Sequence, residues 1–358
     1  MPPQRSPTEI PPTLEGLVSH YSPTGAEAEA VAWLIAHMRQ TGFSRTEIDP
    51  AGNAVGVMGD GERQVVLLGH IDTVPGEIPL KVEDGLFYGR GSVDAKGPLA
   101  AFVDAVCAVG AVPGWQWVVI GAVDEEGDSS GARFVLPRYH PAFAIIGEPS
   151  GWSRLTLGYK GSAWARITVQ QPLSHTAGRD PSACEKAVEI WNAVRTWSEA
   201  FNLERERTFD QVLPTLRQFD SGGDGFEEWA TLKLGARLPI DLSPQDWYAV
   251  LERLTGSGTS GSCQPFSYPI PAYQAEKNTH LVRAFLGAIR SVGGKPGFVL
   301  KTGTSDMNIV APEWNCPILA YGPGDSSLDH TPHEHISLEE YAYSTSVLRS
   351  ALRALTDL

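Results

Sequence analysis

The sequence lacks several features that mark whole classes of protein. Its four cysteines lie far apart without a CxxC pair, which argues against a disulfide framework or a cysteine zinc site. It has no long basic run, and its net charge of -14 argues against nucleic acid or an anionic membrane as partner. No apolar stretch approaches membrane-spanning length, and the opening MPPQRSPTEIPP has no apolar signal-peptide core. We therefore expect a soluble cytoplasmic protein.

The order of apolar segments predicts two domains, which a length of 358 residues allows. Continuous apolar runs such as QVVLLG, WQWVVIGAV and AFAIIG alternate with helical periodicity, which predicts an α/β domain with a mixed sheet flanked by helices. Near residue 158 the pattern changes to in–out alternation and amphipathic helices, typical of a smaller α+β domain. We predict a catalytic domain of residues 1–158 and 269–358, with residues 159–268 inserted into it.

Two local patterns predict helix starts. Thr24 followed three residues later by Glu27 has the capping-box pattern, which places the start of the first helix there. Ser243 precedes the amphipathic stretch PQDWYAVLERL and is predicted to cap it.

Acidic or imidazole side chains follow glycine-bordered hydrophobic runs in five segments of the sequence. They are His70, Asp94, Glu125, Glu126, Glu148 and His330. Because strands of an α/β sheet deliver ligand sites at their carboxyl ends, we expect these side chains to meet. Five oxygen and imidazole ligands are too many for one closed tetrahedral zinc. They suit two metals that share a carboxylate, with Glu125 left as a proton shuttle, and so predict a two-metal amide hydrolase.

Each motif alone also has a purely structural interpretation. His70 and Asp72 leave the same face of a strand, so Asp72 can hold the imidazole nitrogen that faces away from a metal, but a satisfied strand-end histidine fits equally well. Asp94 could lie in a polar turn. Glu125 and Glu126 could lie in an exposed acidic loop, although the apolar run before them makes desolvated like charge, offset by a cation, the better interpretation.

As a set, GHIDTV, GRGSVDAKGP, VDEEGDSSG, IIGEPSG and DHTPHEH resemble the zinc amidohydrolase and exopeptidase family that includes succinyl-diaminopimelate desuccinylase, acetylornithine deacetylase and glutamate carboxypeptidase. The resemblance covers nearly the whole chain and implies a zinc-peptidase-like catalytic domain. It implies two zinc ions per chain, for which cobalt can substitute. One ion would be held by His70 and Glu148, the other by Glu126 and His330, and Asp94 would bridge them.

The resemblance also implies roles for residues outside the ligand set. Glu125 would be the general acid/base, Asp72 would orient the first histidine, and the peptide bond after Asp94 would be cis. The inserted domain would be the lid and dimerisation domain of a homodimer. His175 in PLSHTAG, otherwise an exposed loop histidine, would reach the partner subunit's site and stabilise the oxyanion.

Further positions that match the family would hold the carboxylate end of the substrate. They are Arg237 in GARLP, whose guanidinium fork suits a carboxylate, and Gly303, Thr304, Ser305 and Asp306 in KTGTSDMN. Arg237 could equally be a surface residue.

Within the family, GLFYGRGSVDAKGPLAA, IIGEPSGW, LGYKG and KTGTSDMN are most similar to the branch that acts on an amino-group carrier protein. The resemblance implies release of lysine, and also ornithine, from the carrier's terminal glutamate in lysine and arginine biosynthesis. An acidic carrier would require a local basic patch, for which Lys160, Arg166 and Arg179 are candidates.

Two alternatives remain open at this point. The chain could be a deacylase or carboxypeptidase of small N-acyl amino acids such as acetylornithine or succinyl-diaminopimelate. It could also be a catalytically inactive relative used as a binding module. The intact Glu125 and the complete ligand set favour an enzyme, because a binding module has no need of a proton shuttle.

Overall fold

The structure is a computed structural model that describes residues 9–175, 177–256 and 261–356. The chain divides into two compact units. Unit 1 comprises Met1–Gly158, Ala275–Leu300 and Ser305–Leu358, and unit 2 comprises Tyr159–Gln274 and Lys301–Thr304. Unit 2 is therefore inserted into unit 1 along the sequence. The lid and dimerisation roles expected for residues 159–268 stay predictions.

The helices follow one another along the chain as α1 (Pro12–Ser19), α2 (Ala28–Gln40), α3 (Lys96–Val109), α4 (Ser130–Val135), α5 (Ala183–Asn202), α6 (Pro244–Thr255), α7 (His280–Ser291), α8 (Asp306–Trp314) and α9 (Leu338–Thr356). Within the described residues, none of them combines the length and the apolar character that a bilayer crossing requires.

The strands are β1 (Arg45–Ile48), β2 (Ala54–Met58), β3 (Arg63–His70), β4 (Lys81–Glu83), β5 (Leu86–Tyr88), β6 (Trp115–Ala122), β7 (Phe143–Gly147), β8 (Arg154–Tyr159), β9 (Gly161–Pro172), β10 (Leu213–Gly223), β11 (Glu227–Leu238), β12 (Gly261–Pro265), β13 (Tyr273–Gln274), β14 (Gly297–Lys301), β15 (Ile318–Ala320) and β16 (His335–Ser337).

The main sheet of unit 1 runs in the order β1-β2-β6-β3-β7-β15-β8, and β14 also pairs with β8. Strands β6, β3, β7 and β15 are parallel to one another, while β1, β2 and β8 pair antiparallel. The parallel strands are apolar and buried along nearly their whole length, as expected for strands covered on both faces. The prediction of an α/β domain with a mixed sheet flanked by helices is confirmed.

One hydrophobic core joins this sheet to its helices. It includes Leu67 of β3, Val119 of β6 and Ile145 of β7 together with Phe102 of α3 and Leu348 of α9. Burial of each such side chain contributes about 1.5–3 kcal/mol, so this core anchors the strands and their ends.

Unit 1 also contains a small antiparallel sheet with the strand order β16-β5-β4. It pairs His335 with Tyr88 and Ser337 with Leu86. The pairing brings the segment after His330 beside the segment that leads to Asp94, although the two are far apart in sequence.

Unit 2 contains the antiparallel sheet β10-β11-β9-β12. Alternate residues of β9 and β11, including Ile167 and Leu232, are buried in one cluster with Val194 of α5 and Trp247 of α6. The alternation that distinguished this part of the sequence therefore reflects a sheet with one face covered by two helices.

The helix starts show one correct and one wrong prediction. Ser243 caps α6 in a full capping box with Asp246, as predicted. The Thr24–Glu27 capping box is wrong, because α2 begins at Ala28 without a side-chain cap, and α1 already lies before it. The hydroxyl of Thr24 instead donates to Asp72 Oδ2 at 2.8 Å.

Lys160 does not belong to an exposed basic patch. The side chain is fully buried, and its Nζ donates to the carbonyls of Thr208, Phe209 and Gln211. The ammonium therefore ties the loop between α5 and β10 to the start of β9 and is not accessible to a docking partner.

Candidate active site

The register of the parallel strands places the predicted residues at one edge of the sheet. His70, the last residue of β3, lies opposite Ala122, the last residue of β6. Glu125 and Glu126 follow that residue after a short turn, and Glu148 directly follows β7. Because parallel strands end at the same edge, the backbone alone gathers these side chains.

Asp94 connects two imidazoles through its two oxygens. Its Oδ1 lies 3.3 Å from His70 Nε2 and its Oδ2 lies 3.0 Å from His330 Nε2. The same nitrogen of His330 is 2.9 Å from Glu126 Oε1. The Asp94–Ala95 peptide bond is cis, as the resemblance implied.

Two overlapping groups of side chains have the donor chemistry and spacing of metal sites. His70, Glu125 and Glu126 form one, and Asp94, Glu126 and His330 form the other, with the ligand atoms of each within 4.8 Å of one another. Imidazole nitrogen and carboxylate oxygen are donors that zinc accepts, so the residues present fit a pair of divalent cations. Glu148 lies outside both groups, but it is buried beside this centre.

Asp72 makes more contacts than the sequence predicts. His70 Nδ1 lies 2.9 Å from the backbone carbonyl oxygen of Asp72 and 3.6 Å from its Oδ1. The carboxylate accepts the backbone N–H groups of Glu125 and Glu126, each at 3.1 Å. The carbonyl therefore fixes the imidazole, while the carboxylate also fixes the backbone of the two adjacent glutamates.

The charges of the site alter one another's protonation. Asp94 and Glu126 raise the pKa of His330 to about 10. Burial opposes the charged form of His70, but Asp72 and Asp94 outweigh it and raise the pKa of this histidine well above its usual value. When no cation is bound, the carboxylates therefore favour the charged form of both imidazoles.

Glu125 has a different environment from its neighbour. Burial raises the pKa of Glu125 well above its usual range, and the nearby Glu148 and Asp306 add to the effect although His70 opposes it. Its Oε2 lies 4.0 Å from His70 Nε2. A carboxyl with a raised pKa beside the ligand cluster has the property that proton transfer near neutral pH requires.

Two charged residues near the site, Lys96 and Glu334, were not singled out from the sequence. Lys96 is buried and donates to the carbonyl of His20 at 2.6 Å, and burial lowers its pKa to about 7. Asp306 of KTGTSDMN, which the resemblance did single out, is also buried, and burial raises its pKa to about 7. Glu334 is buried and accepts backbone N–H groups of the segment that carries Asp94. Lys96 stands two residues after Asp94 in VDAKGP. Glu334 stands between two histidines of DHTPHEH, which are the more obvious metal-type residues of that segment.

Two of the predicted substrate-binding residues lie together in unit 2. Arg237 Nη1 donates to Thr304 Oγ1 at 3.0 Å, and Gly303 directly precedes that threonine. Ser305, in contrast, is buried, and its hydroxyl accepts the N–H of Met307 as the cap of α8.

His175 lies in an exposed segment of unit 2, before α5. Its Nδ1 accepts the backbone N–H of Ala177 at 3.1 Å.

Comparisons with known proteins agree with this arrangement. Residues 66–354 match peptidase family M20/M25/M40. The chain is 45% identical over 346 residues to a LysW-lysine hydrolase of Deinococcus radiodurans, with 94% of each chain covered. It is 28% identical over 344 residues to a LysW-lysine/LysW-ornithine hydrolase of Saccharolobus solfataricus, covering 95% of this chain and 94% of that one. A tripeptidase of Staphylococcus aureus shares the fold, with a TM-score of 0.80 at 17% identity over 97% of both chains.

We expect the binding of Zn²⁺ to release protons. At pH 7 a His330 with a pKa of about 10 is protonated, and only the neutral imidazole can bind a cation. The apparent affinity should therefore rise with pH across the neutral range. Calorimetric titration in two buffers of different ionisation enthalpy would measure the release.

His333→Ala, which alters an exposed neighbour, should release as many protons as the wild type, whereas His330→Ala should release fewer. Heats of Zn²⁺ binding that do not depend on the buffer would contradict the prediction.

Proposed function

Because the chain belongs to peptidase family M20/M25/M40, we propose that it is a metal-dependent hydrolase of lysine and arginine biosynthesis. Its substrate is an amino-group carrier protein that bears lysine or ornithine, amide-linked to the side chain of the carrier's terminal glutamate. Water adds across this amide and gives free amino acid and carrier. The identity of 45% to a LysW-lysine hydrolase over nearly the whole of both chains supports this substrate.

The division of the Asp94 oxygens between His70 and His330 is the single observation that carries the hydrolase assignment. A carboxylate that directs one oxygen to each of two imidazoles has the geometry of a bridge between two metal sites. We assign His70 and Glu148 to one Zn²⁺ and Glu126 and His330 to the other. Bound there, two divalent cations would polarise the amide carbonyl and acidify a water molecule.

Glu125 is the proposed general acid/base. Its backbone is fixed by Asp72, and burial raises its pKa, so it can hold a proton taken from the attacking water. It then returns that proton to the leaving α-amino group of lysine. Asp72 supports this step by keeping both His70 and the glutamate backbone in place.

Unit 2 supplies the proposed substrate contacts. Arg237, which reaches Thr304, binds the free carboxylate of the amino acid with the help of Gly303. Ser305 contributes through its backbone, because its hydroxyl caps α8. His175 completes the site of the other subunit in a homodimer and stabilises the oxyanion of the tetrahedral intermediate.

Replacement of the two adjacent glutamates should have different effects. We expect Glu125→Ala to lower kcat by roughly 10²- to 10⁴-fold and to keep both ions, because the Glu125 carboxyl is proposed to move protons and not to hold a metal. Glu126→Ala should lose affinity at one site. Elemental analysis and steady-state kinetics would measure both, with the exposed Glu47→Ala as a control that changes neither. If the two variants exchanged these behaviours, the roles would be reversed.

Action of His175 across a dimer predicts recovery of activity in mixed subunits. A dimer of one His175→Ala chain and one Glu125→Ala chain contains one complete site, so a mixture of the two inactive proteins should regain part of the wild-type rate. A mixture of Glu125→Ala and Glu126→Ala chains should stay inactive, because both changes affect the same centre. Failure to recover despite demonstrated subunit exchange would argue against action in trans.

The carrier assignment predicts an order of catalytic efficiencies. We expect kcat/KM to be highest for carrier-linked lysine and ornithine, and lower for the dipeptide γ-glutamyl-lysine, because binding to the rest of the carrier is lost. Acetylornithine and succinyl-diaminopimelate should be poorer substrates. A purified-enzyme panel of these compounds would test this, and higher efficiency with either N-acyl amino acid would refute the carrier assignment while leaving the two-metal mechanism intact.

A further inference from the structure

Glu334 links the two loops that carry the bridging aspartate and the last histidine of the site. It is fully buried and lies four residues after His330, just before β16. Its Oε1 accepts the backbone N–H groups of Val93 at 2.9 Å and Asp94 at 3.0 Å. One carboxylate of the His330 segment thus holds the backbone of the Asp94 segment directly.

The other oxygen of this carboxylate is held by a buried cation. Arg90 Nη1 donates to Glu334 Oε2 at 2.9 Å and also to the carbonyl of Thr331 at 3.1 Å. Arg90 Nε donates to the carbonyl of Gly76 at 2.8 Å. The guanidinium therefore reaches the residue next to His330, and the two loops are joined by a closed set of hydrogen bonds with Arg90 and Glu334 at its centre.

The backbone at His330 requires such support. This residue has a φ of +62°, a left-handed conformation that a non-glycine residue holds only when its surroundings determine it. The hydrogen bond from Arg90 to the carbonyl of Thr331 and the pairing of β16 with β5 fix the chain that follows His330. An imidazole on a strained backbone can then keep one direction toward Asp94.

A buried carboxylate is costly unless it is paired and hydrogen-bonded. Glu334 is paired with Arg90, but it also accepts two hydrogen bonds from consecutive backbone N–H groups, those of Val93 and of Asp94 itself. A carboxylate needed only for packing has no reason to be placed on the amide of the residue that joins the two imidazoles. We propose that Glu334 is a positioning residue, which fixes the distance between the Asp94 carboxylate and the His330 imidazole and so sets the affinity of the metal pair.

This inference rests on the proposed metal role of Asp94 and His330, so the test measures metal binding separately from turnover. Zn²⁺ affinity and stoichiometry are measured by competition with a chromophoric chelator, and thermal stability is measured on the same samples. Glu334→Gln keeps one acceptor oxygen but presents an amide to Arg90, while Glu334→Ala removes both oxygens. We expect both variants to bind Zn²⁺ about 10- to 100-fold more weakly, as is typical when a residue that orients a ligand is replaced, with the larger loss in Glu334→Ala.

Asp104→Asn is the matched control. Its carboxylate accepts the hydroxyls of Thr13 and Tyr341 and joins α3 to α1 and α9, away from the ligand loops. It should lower thermal stability without changing Zn²⁺ affinity. At saturating Zn²⁺, Glu334→Gln should lower kcat more than it raises KM, since the substrate contacts are intact.

Glu334 variants that lose stability as Asp104→Asn does, yet bind Zn²⁺ with wild-type affinity, would overturn the inference. If Glu334→Ala does not fold, Glu334→Gln alone decides. A wild-type chain that binds only one ion would refute the paired centre, and the affinity of the variants for that one ion would still decide the role of Glu334.

Discussion

Confinement of negative charge at the ends of the parallel strands is the constraint on which the rest of unit 1 depends. Asp72, Glu148 and Glu334 are buried, and a carboxylate removed from water costs several kcal/mol unless it is compensated. The chain compensates in two ways. Partners that keep their protons, namely backbone N–H groups and Arg90, hold Asp72 and Glu334, whereas imidazoles hold Asp94. Only an imidazole can lose its proton and become a ligand, so the surroundings of Asp94 are the part of the site that can exchange a proton for a cation.

The gathering of these side chains at the strand ends could be predicted because its signal is local. A strand buried on both faces reads as an unbroken apolar run, and a polar residue at its end, such as His70 or Glu148, has no role in the sheet itself. The proximity of these residues follows from the register, since parallel strands of the same sheet end at the same edge. The fold class followed from the same runs. The pairing of Arg237 with Thr304 was less accessible, because the two residues are far apart in sequence, and only the three-dimensional fold brings Arg237 Nη1 within 3.0 Å of Thr304 Oγ1.

Side-chain contacts with residues that are distant in sequence could not be predicted. Thr24 matched a capping box, but its hydroxyl is taken by Asp72, a partner that local spacing cannot reveal. Lys160 was a candidate for a local basic patch, yet its amine binds carbonyls of a later loop. Glu334 was overlooked for the same reason, since its acceptor oxygens serve N–H groups that belong to Val93 and Asp94.

The position of unit 2 along the chain determines when the site can be completed. Every other proposed ligand has been synthesised by Glu148, but His330 follows only after about half of the chain, including all of unit 2. At ribosomal rates of roughly 5–20 residues per second, this delay is roughly 10–40 seconds. During that time Asp94 lacks its second imidazole, and the core lacks β15 and α9. The full set of proposed ligands therefore exists only after release from the ribosome or very near to it, so the free cations present at that point, and not the order of translation, decide which ions enter.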